Sequence, residues 1–180
     1  QLTGRFNAHL KDAALIVAIE DYASVADVGG ARANALAWKK WLKTTRGVPV
    51  VKLLLDGEAT HGVTMGGKVT GILDELEAVA KRVKPGGTLW FVFIGHGAPG
   101  KDGDGLLLGA DVRQTAGSMA TRGVPIDEVM ARLAKAPQAV ALLDTIYPKL
   151  RIDFLLLKAP PGDAAGGVGG DAGGFGPAAV

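Results

Sequence analysis

Apolar residues in this chain follow two rhythms, and their alternation outlines the fold. Ala13–Ile19 (AALIVAI), Val50–Leu55 (VVKLLL), Leu89–Ile94 (LWFVFI) and Ala139–Leu143 (AVALL) are short, nearly uncharged runs of strand length. Such runs, closed at each end by glycine or polar residues, suit strands covered on both faces, as in parallel sheets under helices. Between them the period lengthens. Ala31, Ala35, Trp38 and Leu42 share one helical face, with Lys39, Lys40 and Lys43 mostly away from it, and the helix ends near Arg46-Gly47. Trp38 and Trp41 both go to the core on this reading, because aromatics at helical spacing on an apolar stripe usually serve packing. Val69, Ile72, Leu73, Leu76, Val79, Ala80 and Val83 mark a second helix, with Thr64 as its cap and Pro85-Gly86-Gly87 as its stop. Ile126, Val129, Met130 and Leu133 mark a third, which starts at Pro125, carries Asp127 and Glu128 in its first turn and ends before Pro137.

Strand and helix therefore alternate, with connections long enough for right-handed crossovers, and this predicts an α/β domain with a mostly parallel sheet between helices. Residues 1–12 are a mixed polar lead-in, and Leu106-Leu107-Leu108 reads as a short extended piece near the end of the 88–94 strand. Ile152–Leu157 extends the domain by one more strand, so the domain is expected over residues 1–157. From Ala159 onward 17 of 22 residues are Gly, Ala or Pro, a composition that cannot build a packed core, and residues 158–180 are expected to be a disordered tail.

Composition narrows the function classes. The 180 residues suffice for one domain with a sizeable core, and the 48% hydrophobic and 21% charged fractions are ordinary for a globular chain. A net charge of +2, with Lys and Arg dispersed, leaves no basic stripe for nucleic acid, so no nucleic-acid partner is expected. There is no cysteine, which excludes disulfides, thiolate metal sites and thiol catalysis by the chain as it stands. No apolar run reaches the ~18 residues of a membrane span, and no membrane partner is expected. The start at Gln1 lacks a signal pattern and is not a methionine, which reads as a fragment or processed product whose localisation stays open.

Candidate chemistry concentrates where TLWFVFIGHGAPG, Thr88–Gly100, ends its apolar run at Gly95-His96-Gly97. Open α/β sheets place ligands at the carboxyl ends of their strands. An imidazole there exchanges protons near neutral pH, and glycines on either side let a ligand approach the backbone. The next core strand ends in Asp144-Thr145-Ile146; if the two strands are neighbours, about 4.8 Å apart, groups from both ends meet above the sheet. Gly95-His-Gly97-Ala-Pro-Gly100 also spells the G-x-G-x-x-G dinucleotide fingerprint, but that motif needs a helix opening at its last glycines, and Pro99 and KDGDG follow instead. Asp102 and Asp104 lack the later ligands of a calcium loop and read as a solvated turn, and His61, without a second ligand at metal spacing, reads as a surface residue. No metal and no cofactor are expected.

FVFIGHG, the later strand ending in Asp-x-, the opening LIVAIEDY and GGARANALAW leading the first helix together resemble the caspase-like fold of metacaspases and caspases, over roughly residues 13–145. The resemblance implies a three-layer sandwich and cysteine endopeptidase chemistry acting on a peptide or protein. It assigns the base to His96, a backbone N–H of the oxyanion site to Gly97, and the nucleophile to position 146. Asp144 takes the place of an acid that helps hold a basic substrate residue, and its usual companion acid falls on Asn34; the alternative for Asp144 is a cap at the strand end. Position 146 is isoleucine, whose hydrocarbon side chain has no lone pair to attack with. Thr145 is the nearest hydroxyl, but in an extended segment it faces away from residue 146. The chain is therefore expected to be inactive as a peptidase. The other readings are a non-catalytic regulatory or interaction domain of the same fold, and a nucleotide-binding α/β module.

Overall fold

The computed structural model describes residues 9–59, 71–100 and 104–146. Most of the 1–12 lead-in, His61, the proposed cap Thr64, Val69, Asp102, the 152–157 strand and the 158–180 tail lie outside them.

Four parallel strands form the main sheet: Ala13–Ala18 (β1), Val50–Leu55 (β2), Thr88–Pro99 (β3) and Gln138–Ile146 (β6). Their order is β2-β1-β3-β6. All of β1, and Ile19 after it, is at 0% exposure, so the sheet is covered on both faces there, as the unbroken run AALIVAI requires. Phe91, Phe93 and Leu89 of β3 are equally buried. Each large side chain so enclosed stabilises the fold by roughly 1.5–3 kcal/mol relative to exposure.

The central strand is longer than the sequence pattern suggests. It runs through Gly95-His96-Gly97 to Pro99, where the run of apolar residues alone ends it at Ile94. Pairing across the chain supplies the continuation: Gly97, Ala98 and Pro99 lie antiparallel to Leu107, Leu106 and Gly105 of Gly105–Leu108 (β4), which in turn pairs antiparallel with Gly123–Pro125 (β5). Of the stretch read as a solvated turn, Asp104 is described and is exposed. Likewise β6 continues past Leu143, so Asp144, Thr145 and Ile146 are in the strand rather than in a loop after it.

Helices Ala31–Thr44 (α1), Ile72–Ala80 (α2), Ala116–Arg122 (α3) and Ile126–Leu133 (α4) complete the described fold. The first packs over β1, β2 and β3, whereas α2 and α4 pack on each other as well as on strands. The α1 stripe buries Ala31, Ala35 and Leu42, with Trp38 half-buried against the core. Trp41 departs from expectation. It is 37% exposed, because it falls on the flank of that stripe, and its ring instead meets Trp38 and Trp90 edge-on at 5.5 and 6.1 Å, with the Arg46 guanidinium 5.5 Å from its centre. No described helix is long and apolar enough to cross a membrane.

Candidate functional site

The site is built on Gly95-His96-Gly97 within β3. Gly95 is required there because a Cβ would come within 2.6 Å of the Tyr22 hydroxyl oxygen and 3.1 Å of Phe93 Cζ. That space lets Tyr22, from the segment after β1, reach under the strand. Its hydroxyl donates to the Leu108 carbonyl (3.2 Å) and accepts from the His96 backbone N–H (2.8 Å), so one side chain clamps β3 to β4 beside the histidine. The two rings also touch, with centroids 4.9 Å apart and planes tilted by 49°. Burial pushes the Tyr22 phenol above the ordinary tyrosine range; the His96 N–H bond pulls the other way, and the Asp56 carboxylate adds a small upward push.

The imidazole is held from its far side. His96 Nε2 lies 2.7 Å from the Ala26 carbonyl oxygen. A carbonyl has no proton to give, so Nε2 donates the hydrogen of this contact. A base oriented by a second group in this way is the arrangement proton abstraction needs.

The strand register brings the sequence candidates together. His96 of β3 and Ile146 of β6 are Cα partners, as are Ile94 and Asp144. Gly97 follows His96 in β3, and a Cβ built on it would lie 3.4 Å from Thr145 Cβ, so Thr145 is turned toward Gly97. Asp144 is exposed on the strand and accepts a hydrogen bond from Asn34 Nδ2 at 3.4 Å across from α1. Asp144 and Asn34, named together in the sequence reading, thus meet in a side-chain contact.

A frame of carboxylates positions the loops around this centre. Asp56 Oδ1 accepts the backbone N–H of Glu20 (2.8 Å) and Asp21 (3.0 Å), and its Oδ2 pairs with Arg32. Glu20 in turn accepts the Arg32 backbone N–H (2.9 Å), satisfying one of the free donors at the start of α1 where no local side chain does so. The acidic pair after β1 therefore joins β1, β2 and α1. Among the described residues no group of three or more His, Asp or Glu is placed to hold a metal. Residues 95–99 of the glycine fingerprint are part of β3, which pairs antiparallel with β4, and among the described residues no helix follows them to present amides to a pyrophosphate before β4.

Sequence reasoning did not single out Tyr22 or the Ala26 carbonyl. The tyrosine had a visible signal, a hydroxyl at the end of the LIVAIEDY strand; the carbonyl had none, because any residue type supplies one. No family model matches the chain, and no curated protein matches it either.

Proposed function

We propose that this chain is a caspase-like domain, a three-layer sandwich related to the cysteine endopeptidases, that keeps the base and lacks the nucleophile. The observation that carries this reading is the pairing of His96 with residue 146 on adjoining strands. Neighbouring strands lie about 4.8 Å apart, close enough for side chains at partnered positions to come within hydrogen-bond reach of each other, as a base and its nucleophile must. In this reading His96 is the base, Gly97 offers a backbone N–H to an oxyanion, and Asp144 with Asn34 receives the substrate residue before the scissile bond. Ile146 occupies the nucleophile's place, so the domain engages a peptide or protein segment without hydrolysing it.

The unaltered chain is expected to give no turnover of fluorogenic peptides ending in Arg, Lys or Asp. Ile146→Cys is expected to give hydrolysis that iodoacetamide blocks and that His96→Ala lowers by about 10²–10⁴-fold. Hydrolysis by the unaltered chain, abolished by His96→Ala, would reveal another nucleophile and overturn the proposal. So would a folded Ile146→Cys protein that neither cleaves nor alkylates faster than a free thiol.

A second reading is favoured by one feature, the change of character between the strand ending at Asp144-Thr145 and the 17 Gly, Ala and Pro among the last 22 residues. A shift of reading frame after the codon for Thr145 in an active peptidase accounts for it. Absence of a cysteine codon at position 146 in both other frames excludes that account.

A further inference from the structure

A cavity of about 700 Å³ opens beside His96, walled by Val25 and Ala26 after β1, by Leu106 and Leu108 of β4, and by Met119 and Ala120 of α3. That volume is in the range of pockets that enclose a small ligand or a large side chain. Its described lining contains no Lys, Arg, Asp or Glu, and apart from His96 only Gln114 brings a polar side chain. A charged group entering it would lose its water with no partner to replace it. Neither Asn34, Asp144 nor Thr145 contributes to the wall. The cavity wall is thus separate from the Asp144–Asn34 contact.

Resting on the caspase-like reading above, we infer that this cavity is the subsite for an apolar side chain, such as Leu or Phe, on the peptide residue that follows the scissile position. With the preceding residue at Asp144 and Asn34, a peptide crossing the strand ends over His96 brings its next side chain to the cavity mouth. The imidazole then stands between the two subsites. The antiparallel tip of β3 and β4, clamped by Tyr22, keeps the cavity open without help from the ligand.

The full chain, labelled at its methionine methyl groups, tests this directly. It has three methionines; Met119 is in the cavity wall, whereas Met130 is on α4 and outside it. The probes are blocked tetrapeptides with Arg second and Leu, Phe or Asp third, and toluene as a free apolar molecule. The Leu and Phe peptides are expected to shift Met119 saturably and leave Met130 unmoved. Their affinity should exceed that of the Asp peptide by about ten- to a hundredfold. Ala120→Trp, at an exposed rim position, is expected to fold and to erase that preference. Equal affinities, or a Met119 response to toluene and to none of the peptides, would overturn the assignment. If Ala120→Trp fails to fold, the peptide series on the unaltered chain decides. Binding is read here without cleavage. A silent Ile146→Cys protein combined with a Leu preference at Met119 would therefore count against the catalytic ancestry alone.

Discussion

Tyr22 illustrates how much a single residue organises here. Its ring is 8% exposed, and its hydroxyl holds the His96 N–H and the Leu108 carbonyl together. Tyr22→Phe keeps the ring but removes the hydroxyl's bonds to both backbone groups, a loss of about 1–3 kcal/mol in a urea titration at pH 7. The phenol's acidity adds a pH signature. Because burial raises its pKa in the folded state above the ordinary 10.0, its contribution is fully present below about pH 10 and is lost as pH rises beyond that. The unaltered protein should therefore lose more stability between pH 8 and pH 11 than Tyr22→Phe does. Equal losses would show that the phenol does not differ between the folded and unfolded states.

Among the elements, β3 carries three roles in one strand: core in its first half, site at its centre, hairpin at its end. Its register against β1 is pinned from outside the ladder by Asp12, a carboxylate only 2% exposed. Asp12 accepts from the Thr88 backbone N–H (2.8 Å), the Trp90 indole N–H (3.0 Å) and His9 Nδ1 (3.0 Å). A buried charge is tolerable only with such partners, and removing it strands all of them. Asp12→Ala is expected to cost about 2–4 kcal/mol. It should also change the fluorescence of Trp90, whose indole N–H loses its acceptor. A loss below about 0.5 kcal/mol, typical of surface changes, would mean that the pin is dispensable.

For the molecule as a whole, stability resides in the two central strands. Phe91 is fully buried in β3, and Phe91→Ala is expected to cost about 3–5 kcal/mol, a large share of the 5–15 kcal/mol typical of a domain. Leu36→Ala on the outer side of α1, where Leu36 is 50% exposed, is expected to change stability by no more than about 0.5 kcal/mol. Denaturant midpoints of the two variants measure the contrast. The same rigidity serves the site, since His96, Asp144 and Gly97 are on strands whose roots are in this core.

Much of this architecture is legible in the residues. The runs at 13–19, 50–55, 89–94 and 139–143 are strands, and the stripes at Ala31–Leu42 and Ile126–Leu133 are helices, because an element facing the core must repeat its apolar residues at its own period. The placing of position 146 beside His96 also follows from two buried strands becoming neighbours. Other features have no local cause. Helix α3 buries none of its residues and shows no apolar stripe, so nothing periodic announces it. The continuation of β3 through two glycines depends on a partner strand from 105–107, and glycine read alone signals a stop. Trp41 has the spacing of a core residue, but only the packing of α1 decides which side of the stripe is covered. The clamp by Tyr22, the Asn34–Asp144 contact and the apolar cavity beside His96 join segments dozens of residues apart. Periodicity fixes which face of an element is apolar, whereas contacts of this kind arise only when separate elements are brought together in space.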